Sequence, residues 1–396
     1  MVHAPRLLLV LMLMVACNAT PKAEVAPSES AAEATPMPGP CNLSDEAAAC
    51  VIWRLDGFVA ASAVDGVVVA AEPDGVLHGL DAATGDTVWE GGVDGEVMGI
   101  ATTDGLAYVS VEEEVVAVDV ADGEVRWRHP GTLVDPGRDG LPAVIAGDGV
   151  VYGVATDDGR QVWSQDAMSG FIGNAVGVDV VVLSLETMIV AVDRSTGEER
   201  WRYPSELPIF ATVVTEDAVV ASTASNGSEF DGYVILDADD GGLVTGRDDV
   251  SGAMVVEAEG HLVEVRFGQG ARGIAGDTGE YTWDIPLGNA FFIGRRAFSL
   301  HDRALVLAAD QDGTEVVAMI DPETGSQRWQ IRADAQLEQV TVAGRYLALF
   351  RLGGITFHDP ATGESVLAVA VPHGVVLSDE PLLVHDGDAV TRVMVP

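Results

Sequence analysis

What most constrains this chain is a short frame that returns along most of its length. Residues 80–89 run Leu-Asp-Ala-Ala-Thr-Gly-Asp-Thr-Val-Trp, and the same order returns at 118–127 and 192–201. Eight copies are present, with glycines at Gly85, Gly123, Gly159, Gly197, Gly241, Gly279, Gly325 and Gly363. Six carry Asp four places before the glycine: Asp81, Asp119, Asp193, Asp237, Asp321 and Asp359. Six carry Trp four places after it: Trp89, Trp127, Trp163, Trp201, Trp283 and Trp329. With 7 Trp in the chain, six at one offset is not chance. The glycine spacings of 38, 36, 38, 44, 38, 46 and 38 residues are those of a propeller, a solenoid or an array.

Within each period the apolar residues come in short β-branched runs, as at 67–70, 180–183 and 304–307. Asp-Gly and Thr-Gly turns divide them, the grammar of strands and hairpins. No helical periodicity is sustained after residue 50. Each period supplies roughly four strands. The frame glycine suits a positive φ between the third and fourth strands. The Asp can accept backbone N–H groups across that turn, and the Trp can bury its ring against the next unit while its N–H finds a carbonyl. A four-stranded unit of this size cannot bury both faces alone, so the units must stack, and radial stacking leaves only short, protected edges. The seventh tryptophan, Trp53, stands in Val-Ile-Trp-Arg-Leu at 51–55 like a fourth strand without its first three, while 374–395 supplies about three strands without a final Trp. The two fragments are expected to complete one blade. The expected architecture is an all-β, closed β-propeller of eight four-stranded blades. Nine is the alternative, because 131–178 is irregular and 160–170 fits either a third or a fourth strand.

The Leu-Asp-Ala-x-Thr-Gly-x-x-x-Trp pattern resembles the pyrroloquinoline-quinone (PQQ)-type β-propeller repeat, shared by quinoprotein dehydrogenases and the outer-membrane assembly lipoprotein BamB. The resemblance spans about residues 50–396. It is specific for fold and weak for function.

The N-terminus is an address. Arg6 precedes an apolar run over 7–16, about half of the ~20 residues a spanning helix needs. The run ends Met-Val-Ala-Cys at 14–17, which resembles the bacterial lipobox. Residues 1–16 are therefore expected to be a signal peptide, with Cys17 lipidated; a secretory peptide with an incidental cysteine is the plainer reading. In the enterobacterial sorting rule a residue other than Asp after that cysteine favours the outer membrane, and here it is Asn18. Residues 17–40, rich in Ala, Pro, Glu, Ser and Thr, form a solvated tether. Cys41 and Cys50 are the two remaining cysteines, and in an exported chain a disulfide closing a ten-residue loop over 41–50 is the expectation. The propeller then occupies 51–396.

Lys+Arg 21 against Asp+Glu 62 gives a net charge of -41, which repels nucleic acid and anionic lipid over most of the surface. The one lysine is Lys22, so the folded body has no lysine chemistry. A quinoprotein dehydrogenase, as the resemblance implies it, would stack its cofactor on a Trp and a vicinal Cys-Cys disulfide with a bound Ca²⁺. No cysteine lies within the repeats, and each repeat Trp belongs to the packing frame. The run Gly268-Gln-Gly-Ala-Arg-Gly273 matches G-x-G-x-x-G but leads into a repeat strand rather than a helix, so it is a loop and not a dinucleotide site. The acidic turns 237–241 and 310–313 lack the Glu of an EF-hand. The 8 His are dispersed with no zinc spacing, and no Ser has a nucleophile-elbow setting. No catalytic, cofactor-binding or metal residue is therefore assigned. The leading expectation is a non-enzymatic envelope lipoprotein scaffold on the periplasmic face of the outer membrane. As the BamB resemblance implies, it would support β-barrel protein assembly through protein–protein contacts, with other envelope proteins and the barrel-assembly machinery as the expected partners. The alternatives are a ligand-binding or sensor propeller of the envelope and, third, an exported quinoprotein dehydrogenase. The less regular loops at 102–105, 130–141, 223–232 and 286–300 are the expected contact regions.

Overall fold

A computed structural model describes residues 50–396, apart from 138–139, 167–170, 224–231, 249–252, 259, 267–269, 287–290, 301–303, 312–313, 333–336, 344–345, 352–353, 370–374, 379–382, 386–388 and 395–396. The expected signal peptide, Cys17, the tether and Cys41 lie outside the described residues, so the lipidation and the Cys41–Cys50 pairing do too. Among the described residues every regular element is a strand, and no helix is long and apolar enough to cross a membrane.

The strands form antiparallel sheets of four, the architecture of a β-propeller. Sheet 1 is β2 (Ala60–Val64), β3 (Val67–Ala71), β4 (Val76–Asp81) and β5 (Thr87–Gly92). Sheets 2, 3 and 4 follow over residues 97–130, 132–166 and 171–204. Sheet 5 is β18 (Ile209–Val214), β19 (Ala218–Thr223), β20 (Gly232–Asp237) and β21 (Leu243–Arg247). Sheet 6 is β22 (Ala253–Ala258), β23 (His261–Arg266), β24 (Gly270–Ile274) and β25 (Tyr281–Pro286). Sheets 7 and 8 cover 291–332 and 337–369. The last sheet has the order β1 (Cys50–Asp56), β36 (Ala389–Met394), β35 (Leu383–His385), β34 (Val375–Ser378).

The expectation of eight sheets needs correction, since nine four-stranded sheets are hydrogen-bonded. The extra unit lies in the irregular stretch. Its first strand is only Thr132–Asp135, with a register shift between Leu133 and Asp135. Gln161–Asp166 is its fourth strand and carries Trp163.

The strands are buried on both faces near the middle of each sheet. Val68, Val69, Ala70 and Ala71 of β3 are all fully buried, which explains why the sequence there is a continuous apolar run rather than an alternation. Separate apolar clusters bridge successive sheets. One joins Val69, Leu77 and Trp89 of sheet 1 to Val109, Val116 and Val118 of sheet 2; another joins Val220, Tyr233 and Ile235 of sheet 5 to Val255, Leu262 and Ile274 of sheet 6. First strands pack against first strands at the hub, as β18 does against β22 and β2 against β34. At the chain ends β1 pairs antiparallel with β36, from Cys50↔Met394 to Asp56↔Ala389.

Candidate functional site

The repeat frame forms the joints between sheets. The turn at 81–86 shows how. Asp81 Oδ1 accepts from Ala83 N at 2.9 Å, Thr84 N at 2.8 Å and the Thr84 hydroxyl at 3.2 Å. Gly85 N donates to Asp81 O at 2.8 Å. Those backbone donors hold the Asp81 carboxyl below the usual carboxylate range. Gly85 has φ 79 and a Cβ there would lie 2.8 Å from the Trp53 ring, so the glycine is required twice over, by conformation and by contact. Gly123, Gly159, Gly197, Gly241, Gly325 and Gly363 sit against Trp89, Trp127, Trp163, Trp201, Trp283 and Trp329 in the same way. Each indole N–H then donates to the carbonyl of the second turn residue in the next sheet. Trp53 reaches Ala82 O, Trp89 Val120 O, Trp127 Thr156 O and Trp163 Arg194 O, at 3.3, 2.7, 2.9 and 2.7 Å. Trp201 reaches Ala238 O, Trp283 Pro322 O and Trp329 Pro360 O, at 2.9, 2.9 and 2.7 Å. Of the other frame carboxylates, Asp119, Asp193 and Asp321 also pair with Arg126, Arg200 and Arg328. Asp237 accepts Asp239 N and Asp240 N, and Asp359 accepts Ala361 N and Thr362 N. Ala155 and Ala275 replace the Asp in two turns, where the Gly159 N→Ala155 O and Gly279 N→Ala275 O backbone bonds are kept.

This geometry bears on a quinone cofactor, whose planar ring needs an aromatic face at the hub. All seven tryptophans lie on outer strands with their rings against a glycine and their N–H groups on carbonyls, so none of them offers that face. Gly270–Ile274 is strand β24, paired on both sides, and a Cβ at Gly273 would lie 2.3 Å from the Trp283 indole nitrogen. That glycine therefore serves packing rather than a pyrophosphate. Among the described residues no group of three or more His, Cys, Asp or Glu could hold a metal ion.

A cleft of ≈ 810 Å³ lies across sheets 4, 5 and 6. The hairpin turns at 177–179 and 215–217 and the turn residue Asp239 form its wall, and Asp179, Glu216, Asp217, Asp239, Glu257 and Arg200 supply its charge. Arg200 is already committed to Asp179 at 3.0 Å and Asp193 at 2.7 Å, so the cleft presents unbalanced negative charge and favours ammonium or guanidinium groups. It lies apart from the loops expected from sequence. Of those, 102–105 is a tight turn whose Thr102 hydroxyl bonds Ser62 and Ala63 O at the hub. Most of 223–232 lies outside the described residues, and 286–300 contains the ten-residue strand Phe291–Leu300 rather than a loop.

Sequence reasoning also missed Glu264. Register places it level with Ala70, Val109, Ile145, Leu183, Ala221, Leu307 and Leu349 of the other sheets. A charge at a position that is apolar in every other copy was a usable signal. Glu264 is fully buried and accepts from the Tyr233 and Tyr281 hydroxyls, both at 2.8 Å. Burial, reinforced by that carboxylate, pushes the Tyr233 phenol up.

Four-stranded sheets, tryptophan-glycine joints and Asp-anchored turns together define a PQQ-type repeat propeller. The chain belongs to the family described as outer membrane protein assembly factor BamB, whose profile matches residues 31–144, 147–244 and 230–393. A relative of that description from Nitrosomonas eutropha is 27% identical over 150 residues, 35% of this chain and 36% of the relative. A serine/threonine-protein kinase, AfsK of Streptomyces griseus, is 29% identical over 166 residues, 36% of this chain and 20% of the kinase. The matches thus span about a third and a fifth of those proteins. The crystal structure of BamB from Moraxella catarrhalis superposes with a TM-score of 0.53 at 15% identity, covering 88% of this chain and 98% of that one, a likeness of fold.

Proposed function

We propose that the chain is a non-enzymatic envelope scaffold that supports outer-membrane β-barrel protein assembly through protein–protein contacts. The observation that carries this reading is the family match, which runs through nearly all of the described residues. In this reading the nine sheets make one ring, supported by the β1–β36 pairing and by β34 packing on β2. Cys17 carries the lipid, 17–40 spaces the ring from the bilayer, and the Cys41–Cys50 disulfide ties the tether to the ring. Acyl chains at ~0.8 kcal/mol per buried CH₂ hold such a protein on the periplasmic face of the outer membrane. A rigid disc so anchored needs no reactive group, because its product is position. A second reading, an envelope sensor that binds a cationic ligand, is favoured by the acidic cleft of sheets 4 to 6.

The test is crosslinking in intact membranes followed by purification of the tagged full chain. Recovery of the barrel-assembly protein, lost together with membrane fractionation in Cys17→Ser, is expected. A chain that crosslinks to no component of that machine would replace the scaffold reading with the sensor one.

A further inference from the structure

The joint between sheets 5 and 6 departs from the others. Thr245 stands where six of the eight frames place Trp: its side chain occupies the place beneath Gly279, with the glycine's Cβ position 2.2 Å from the Thr245 methyl. Around the gap the chain assembles three of its arginines. Arg272 and Arg266 both pair with Asp284, at 2.8 and 2.9 Å, and flank Glu264 at 3.8 and 3.5 Å. Those two cations and two carboxylates balance. Arg247 is left over. Its guanidinium lies 5.0 Å from the centroid of the Tyr281 ring, with Arg272 4.6 Å from the same centroid. Among the described residues its hydrogen bond is a long 3.4 Å contact to Gly279 O, and its buried Nε has no acceptor. Among the described residues Arg247 has no carboxylate partner, in a chain with 62 acidic residues. Arg247 is half-buried, and a buried guanidinium nitrogen left without an acceptor is costly to maintain.

We propose that this joint is a binding site for a carboxylate, with Arg247 as its anion-binding group. A planar carboxylate fits the fork of a guanidinium and takes two parallel N–H bonds. The negative field of the disc sets a high threshold for such a ligand, so the local excess of one cation selects against anions elsewhere on the surface. The site does not depend on the scaffold reading, because its test uses the purified full chain without assembly partners.

The experiment is calorimetric titration of the full chain with succinate and, separately, with a capped tetraglutamate peptide, at matched ionic strength against sodium chloride. Saturable binding of either probe is expected. Binding of succinate points to a free small carboxylate; binding of the peptide alone points to an acidic segment of a partner. Arg247→Gln weakens the bound probe at least about tenfold, while Arg126→Gln, at the Asp119 pair of sheet 2, leaves it unchanged. Arg247→Lys, which keeps the charge and loses the fork, carries the same test should Arg247→Gln fail to fold. No saturation by either probe, or equal binding by the Arg247 variants and the parent chain, overturns the proposal.

Discussion

Between sheets 1 and 2 the Trp89 ring lies between Gly79 of its own sheet and Gly123 of the next turn, with its N–H on Val120 O. Between sheets 5 and 6 the same backbone turn is present, with Gly279 at φ 67, but Thr245 takes the indole's place and a buried carboxylate with two tyrosines occupies the interior. The backbone frame therefore does not require the tryptophan. What it requires is a filled joint, and two chemistries fill it: an apolar wedge with one polar handle, and a network of charges satisfied by one another. The first draws its stability from burial and tolerates change in solvent. The second depends on each member staying in place, because removing one leaves another buried without a partner.

The largest effect is expected from the wedge. Trp89→Ala should cost about 3–5 kcal/mol in urea unfolding, from lost burial plus the cavity between two glycines. Thr245→Ala at the polar joint should stay within about 1 kcal/mol. Near-equal losses would show that the indoles are not the joints. The network should respond next. Glu264→Ala leaves two arginines and two phenols facing a void and should cost about 3–5 kcal/mol, whereas Tyr233→Phe removes one bond to a buried carboxylate and should cost about 1.5–3 kcal/mol. If Glu264→Ala is neutral in the same unfolding assay, the polar joint contributes nothing and the contrast fails.

A third test concerns pH. His358 occupies the place that Leu80, Val118, Val192 and Leu236 hold in other sheets, and is itself buried. Its Nδ1–H donates to Gly363 O at 3.0 Å and its Nε2 meets the Thr356 hydroxyl at 3.0 Å. Burial, with Arg351 nearby, holds its pKa below the usual 6.5. The unfolded chain therefore binds this proton more readily than the folded one. Stability rises with pH through the window below 6.5 and falls on acidification, by at most about 1.4 kcal/mol per pH unit. His358→Leu should flatten that part of the urea-midpoint profile between pH 7 and 5, and an unchanged profile would remove His358 as a source.

The wedge joints were legible in the sequence because their chemistry is periodic. A Trp, a Gly and an Asp at fixed offsets can be seen without coordinates, and Trp53 could be assigned to the last sheet for the same reason. The sheet count was harder. The third sheet opens on a four-residue strand and turns through Ala155 rather than Asp, so neither its start nor its turn carries the full signal. The polar joint was illegible because it is assembled from Tyr233, Arg247, Glu264, Arg272 and Tyr281, residues on five strands of two sheets that no spacing rule connects. The acidic cleft was illegible for the same reason: its carboxylates come from turns that look ordinary one at a time.

The smallest expected effect sharpens the comparison from its exposed side. Asp119 accepts from Ala121 N at 2.8 Å and pairs with Arg126 at 2.5 Å, and the Arg126 hydrogen bond, then the backbone one, hold its carboxyl below the usual range. A depressed folded pKa gives stability that is complete above about 3.9 and is lost as pH falls through the folded value. Because this pair faces water, screening limits it, and Asp119→Ala should cost no more than about 1 kcal/mol. Sheets 3 and 6 already turn on Ala155 and Ala275 with the glycine bond intact, so the protein itself contains the substitution. Differential scanning calorimetry at pH 7 and pH 3 should find Asp119→Ala slightly less stable than the parent at the first, with a smaller difference at the second. A loss approaching that of Trp89→Ala would mean that the turn, rather than the ring packed beneath it, holds the joint.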